Sequence, residues 1–276
     1  MVERKIYFYK SSRISYLRFG SGLKPVICFH GYGETAISFT FLDKYAGDRF
    51  TFFSIDLPFH GETNWQEGLT FSPEELTLMI RGILSENYQV PFLSISSFSL
   101  MGFSLGGRAA LSLLQQLPAS VDRLILLAPD GLKVNFWYWL ATQSRIGNKF
   151  FSFTMKKPAW FFGLLKLLNK LNLVNTSIFK FVKYYIGDAE VRRLLYTRWT
   201  ALRKLKPDLP DIKEKIRQYN IPVRLVYGKH DRIILPSVGE KFKQGIEKQC
   251  SLSIIHSGHQ VLHEKHVEEI LPALLR

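Results

Sequence analysis

Short apolar runs alternate with amphipathic stretches along most of this chain. Lys5–Tyr9 and Ile14–Phe19 interleave polar and apolar positions, which predicts an opening hairpin with Ser11 and Ser12 in its turn. Six further runs of four to six residues follow: 25–29 (PVICF), 50–55 (FTFFSI), 97–101 (SFSLM), 123–127 (RLILL), 222–227 (PVRLVY) and 252–255 (LSII). Several are apolar throughout, as strands covered on both faces must be. Between them lie helical patterns. Residues 73–88 begin with Ser72 as N-cap, Pro73 at the first position and Glu74 and Glu75 in the first turn. Residues 105–117 are rich in Ala and Leu and stop before Pro118, and 238–248 form a third helical pattern. Strand and helix in alternation predict a mostly parallel sheet with helices on both faces. Ligands of such sheets bind at the carboxyl ends of the strands, so chemistry is expected in the loops that follow them.

One segment breaks the alternation. Residues 132–206 read as helix only, for example over 158–172, and end near the Pro-punctuated stretch 207–210. A helical lid at 132–206, inserted into a core formed by 1–131 and 207–276, is the expected division. Composition sharpens it. The 276 residues carry a formal charge of +14, and 132–206 alone hold fifteen Lys and Arg against two acids, Asp188 and Glu190. Sixteen of the 39 aromatic residues fall in the same segment, including Trp137, Trp139, Trp160 and Trp199. Such a segment suits an anionic membrane surface or an amphiphilic substrate, or solvates helices whose aromatics pack inward. Nucleic acid is not expected as a partner, because the basic residues fall within the proposed lid and no binding module is visible.

Other classes are excluded on composition. An apolar content of 46% and the aromatic count argue against disorder. No apolar run reaches the ~18 residues of a membrane span, and the first ten residues lack the apolar core of a secretion signal. Cys28 and Cys250 sit in apolar runs with no CxxC, which predicts buried thiols in a reducing compartment rather than a disulfide or zinc site. A cytoplasmic location is expected, with peripheral attachment through the basic insertion as its extension.

The sharpest motif is Gly102-Phe103-Ser104-Leu105-Gly106-Gly107, placed between an apolar strand and an Ala/Leu-rich helix. Glycines at 102 and 106 permit a sharp strand-to-helix turn that thrusts Ser104 outward, with the helix amides behind it suited to an anion. With this motif in place, the chain resembles the α/β-hydrolase superfamily along nearly its whole length, in the branch with a helical lid after the sixth strand. The resemblance implies a mostly parallel eight-stranded sheet. Three further segments are similar to family motifs: His30-Gly31-Tyr32-Gly33 to the oxyanion loop, Asp56-Leu-Pro-Phe-His60-Gly61-Glu-Thr63 to the turn after the next strand, and the ends of the last two strands, which carry Asp231 and Ser257-Gly258-His259.

A serine hydroxyl needs an imidazole to take its proton, and the imidazole needs a carboxylate to fix its tautomer. Ser104 is assigned as nucleophile, His259 as general base and then acid, and Asp231 as the orienting acid, in the chain order of this fold. The backbone amides of Tyr32 and Leu105 are assigned to the oxyanion hole. Asp130 also follows a strand end and stands as a second candidate acid. Among the other histidines, His30 and His60 are expected to hold loops, His256 lies at a strand end, and His263 and His266 fall in the following helix. No metal and no organic cofactor is expected, since neither a ligand cluster nor a phosphate-binding loop is present. The expected reaction is hydrolysis of esters of hydrophobic acyl groups, the aromatic lid favouring a small hydrophobic acyl substrate. A thioester, an amide or a carbon–carbon bond next to a carbonyl would be activated by the same groups, and a ligand-binding receptor would retain the pocket with little turnover.

Overall fold

The computed structural model describes residues 1–95, 97–133, 136–170 and 186–275. Parts of the predicted insertion, 134–135 and 171–185, lie outside them. Eight strands form one sheet: β1 (Glu3–Tyr9), β2 (Ser12–Phe19), β3 (Lys24–Phe29), β4 (Phe50–Ile55), β5 (Phe98–Phe103), β6 (Val121–Leu127), β7 (Val223–Gly228) and β8 (Cys250–Ile255). Their order is β1-β2-β4-β3-β5-β6-β7-β8. β1 and β2 pair antiparallel, as do β2 and β4, and every remaining pair is parallel. The apolar runs explain the centre of the sheet, since all six residues of β4 and all six of β5 are buried.

The helices flanking the sheet include α1 (Leu42–Ala46), α2 (Pro73–Tyr88) and α3 (Leu105–Gln116). α2 starts where its sequence predicts, with a reciprocal cap: the Glu75 amide donates to Ser72 Oγ (3.3 Å), and the Ser72 amide donates to the Glu75 carboxylate (3.1 Å). Two elements differ from expectation. The β1–β2 turn is Lys10-Ser11, and Ser12 is the first residue of β2, opposite Tyr9. Its buried hydroxyl donates to Glu67 and accepts the Gln66 amide, which draws Ser12 out of the turn. The helix expected over 238–248 spans Pro236–Lys243. It stops because Gly245 takes φ +82°, a left-handed conformation that ends the helix.

The chain divides into two compact units. The first comprises Met1–Glu67, Phe71–Lys133 and Lys204–Arg276 and contains the sheet. The second comprises Gly68–Thr70 and Val134–Arg203. Its described helices are α4 (Phe136–Gln143), α5 (Arg145–Lys156), α6 (Ala159–Lys170) and the helix Ala189–Ala201. The helical pattern read over 158–172 is α6, with Leu171 and Asn172 outside the described residues. Aromatic packing holds this unit together. Tyr138 meets Trp199 at 5.2 Å between ring centroids, and Phe151 lies 5.5 Å from Tyr196 and 5.7 Å from Trp199. Asn148 adds polar links, its Nδ2 donating to the Ala141 carbonyl (3.1 Å) and to Thr200 Oγ1 (3.2 Å). Among the described residues no helix is long and apolar enough to cross a membrane.

Candidate active site

Sheet topology creates the site before any side chain does. From β3 the chain runs to β4 on one side and returns to β5 on the other, so the loops after β3 and β5 diverge at their carboxyl ends. A crevice forms at such a switch point. Residues 30–34 leave β3 on one side of it, and Ser104 leaves β5 on the other.

Ser104 has φ +49° and ψ −116°, a conformation unfavourable for any residue with a Cβ. Its backbone bonds hold it there: the amide donates to the Leu127 carbonyl (3.0 Å), and the Ser104 carbonyl accepts the amides of Gly107 (2.9 Å) and Asp130 (2.8 Å). The flanking glycines are required by contact rather than by torsion. A Cβ on Gly106 would lie 1.9 Å from the Phe29 carbonyl oxygen, and one on Gly102 2.5 Å from the Gly106 oxygen. Only without those atoms can α3 begin against the end of β3. Leu105 is the first residue of α3, where amides have no acceptor within the helix.

Asp231 follows β7 with its side chain fully buried, and His259 follows β8 with its side chain 19% exposed. The Asp231 carboxylate is oriented by its own loop, Oδ1 accepting the amides of Ile233 (2.8 Å) and Ile234 (2.9 Å). Its Oδ2 lies 2.7 Å from His259 Nδ1, and His259 Nε2 lies 2.9 Å from Ser104 Oγ. A carboxylate only accepts, which assigns the proton to Nδ1 and leaves Nε2 to accept the serine hydroxyl. Beneath Asp231, burial and then the neighbouring carboxylate hold the Tyr227 phenol well above its ordinary pKa.

Asp130 is turned elsewhere. Its Oδ2 pairs with the buried Arg108 guanidinium of α3 at 2.8 Å, and its Oδ1 accepts the Gly131 amide at 2.7 Å. Of the two candidate acids, Asp231 is the one in contact with His259.

The loops around the crevice are braced by groups whose roles were only partly legible. His30 Nδ1 donates to the Gly31 carbonyl (2.8 Å) while its Nε2 accepts the Leu57 amide (3.1 Å), tying the loops after β3 and β4. His60 Nδ1 donates to the Pro58 carbonyl at 2.9 Å. Both act on loops, as their positions suggested. Asp56 is the larger strut. Fully buried, it accepts the amides of Ala36 (2.7 Å) and Glu62 (3.2 Å) and pairs with Arg4 at 3.0 Å. Glu34 lies in the loop after β3. Its Oε1 accepts Gln260 Nε2 at 2.9 Å, so it links that loop to the one carrying His259. His263 precedes the last helix, its Nδ1 accepting the Lys265 amide at 3.1 Å, and His266 Nε2 lies 3.1 Å from Ser257 Oγ. His230 and His256 face each other at the exposed rim, Nε2 to Nε2 at 3.2 Å. Cys28 and Cys250 are free and buried, and burial pushes the Cys250 thiol up to about 11. Among the described residues no group of three or more His, Cys, Asp or Glu is placed to hold a metal ion.

Residues 24–266 match the family model of the α/β-hydrolase fold. The chain belongs to the α/β-hydrolase family. It is 22% identical over 246 residues to an uncharacterized hydrolase of Bacillus subtilis, covering 88% of this chain and 86% of that one. A pimeloyl-(acyl-carrier protein) methyl ester esterase of Nitrosomonas europaea is 22% identical over 250 residues, covering 85% of this chain and 88% of the other. Among solved structures, a thermophilic esterase from Thermogutta terrifontis shares the fold with a TM-score of 0.67 at 16% identity, over 100% of this chain and 98% of that one. As a member of this family, the protein is a hydrolase with an eight-stranded, mostly parallel sheet.

Proposed function

We propose that this α/β-hydrolase cleaves esters of hydrophobic acyl groups through Ser104, His259 and Asp231. The observation that carries the reading is the continuous chain from Ser104 Oγ to His259 Nε2 (2.9 Å) and from His259 Nδ1 to Asp231 Oδ2 (2.7 Å). In the proposed mechanism, His259 Nε2 takes the Ser104 proton as Oγ attacks the substrate carbonyl. The imidazolium that forms is stabilised by the Asp231 carboxylate, which stays ionised. Backbone amides of Leu105 and Tyr32 are assigned to the oxyanion of the tetrahedral intermediate, each such donor typically contributing ~3 kcal/mol in the transition state. His259 then returns the proton to the departing alcohol, leaving an acyl group on Ser104. Water, deprotonated by the same imidazole, releases the acid and restores the serine.

The hydrophobic acyl class rests on composition. The insertion 132–206, to which selectivity is assigned, carries sixteen aromatic residues. The name of the Nitrosomonas europaea relative, a methyl ester esterase, supports an ester over an amide or a carbon–carbon bond. The test is turnover of p-nitrophenyl esters of graded acyl length. Measurable hydrolysis rising from acetate to longer acyl groups, abolished in Ser104→Ala, is expected. Absence of turnover at every length by a folded protein would overturn the reading.

A further inference from the structure

Two neighbouring helices of the second unit leave apolar stripes in solvent. On α5, Ile146, Phe150 and Phe153 recur at i, i+4 and i+7 and are 83%, 56% and 48% exposed. On α6, Trp160, Leu164 and Leu167 repeat the same spacing, 36%, 43% and 54% exposed. The rings of Phe150 and Trp160 meet at 5.1 Å, which joins the stripes into one patch. The opposite faces already have their partners: Met155 of α5 and Leu165 of α6 are buried, and Phe151 packs on Tyr196 and Trp199. A contiguous apolar surface of this kind on a folded protein marks an interaction site.

Charge selects the occupant. Arg145, Lys149 and Lys156 share the exposed side of α5, Lys166 and Lys170 that of α6, and the exposed Lys157 lies between the helices. At 100° per residue, Arg145, Lys149 and Lys156 line one flank of the α5 stripe. From Phe136 to Lys170 there is no Asp or Glu. A second copy laid on this face would oppose six cations with six. An anionic lipid surface instead offers phosphates to the cations and acyl chains to the stripes, the arrangement of interfacial amphipathic helices.

We propose that the joined faces of α5 and α6 dock on an anionic lipid bilayer, with Ile146, Phe150, Phe153, Trp160, Leu164 and Leu167 at the headgroup–acyl boundary. Docking is independent of ester cleavage, and Ser104→Ala is expected to bind vesicles like the native protein.

The experiment is cosedimentation of the full chain with vesicles of phosphatidylcholine alone or mixed with phosphatidylglycerol. Binding is expected only with phosphatidylglycerol and is expected to weaken as salt shortens the screening length. The triple substitution Lys149→Gln, Lys156→Gln, Lys166→Gln should lower partitioning by roughly a hundredfold, at about fivefold per charge. Phe150→Ser with Leu164→Ser tests the stripes separately and should also release the protein, with circular dichroism confirming that both variants fold. Equal partitioning into both vesicle types, indifference to salt, no partitioning, or a concentration-dependent dimer that the same substitutions dissolve would overturn the proposal. The last result would assign the face to a second copy.

Discussion

Asp231 gives one carboxylate oxygen to its own loop and the other to His259. Oδ1 accepts the Ile233 and Ile234 amides, which fixes the rotamer, and Oδ2 meets His259 Nδ1 at 2.7 Å. Asp231→Asn should keep much of this geometry while favouring the wrong imidazole tautomer, lowering kcat by about 10⁴-fold with little change in KM. Steady-state kinetics on a p-nitrophenyl ester measures it.

Asp130→Asn separates the second acid from the first. The substitution leaves the Arg108 guanidinium, buried in α3, without its 2.8 Å carboxylate. We expect kcat within a few-fold of native and a stability loss of about 1–2 kcal/mol in urea. That is below the cost of breaking a fully buried pair, because the Asp130 side chain is 30% exposed.

At Ser104 the proposed nucleophilic role and stability make opposite demands. With φ +49°, the residue sits where glycine alone is unstrained. Ser104→Gly should therefore abolish hydrolysis while raising stability by up to about 1 kcal/mol, the relief of strain being partly offset by glycine's entropy in the unfolded chain. Thermal melting of native, Ser104→Ala and Ser104→Gly proteins should rank the glycine variant highest.

Gly106→Ala tests the close approach of α3 to β3. The new methyl group would fall 1.9 Å from the Phe29 carbonyl oxygen, which is backbone and cannot swing away. A loss of about 2–3 kcal/mol in denaturant unfolding is expected, together with loss of activity, since the same shift displaces Ser104.

His266 supplies a pH dependence of stability. Burial, and then the charge of Lys265, lower its folded pKa below the ordinary histidine value. Below about pH 6.5 the unfolded chain then binds a proton at this position that the folded chain does not, so stability falls as pH drops through that value. Urea midpoints measured on both sides of ~pH 6.5 should show a decline that is smaller in His266→Gln.

Much of the fold could be read from local pattern. The runs at 25–29 and 50–55 are strands because their residues are apolar without alternation, and such strands belong at the covered centre of a parallel sheet. Ser72, Pro73 and Glu75 mark the start of α2 because a helix end is capped by its immediate neighbours. Ser12 escaped this reading because its partners, Gln66 and Glu67, are over fifty positions away. Glu34 and Gln260 escaped it for the same reason.

By itself the sequence determined the elements, the turn that exposes Ser104, and a short set of acids and histidines at strand ends, because each of these depends on neighbours within a few residues. Which members of that set meet was decided only by the sheet. β5 and β8 are three strands apart, roughly 14 Å at ~4.8 Å per strand, and the loop after β8 carries His259 back across that distance to Ser104. Asp130 and Asp231 look equivalent in the chain, yet Arg108 on α3 draws the first away and leaves the second facing the imidazole. Such a choice depends on the relative position of strands and helices, and no local pattern encodes it.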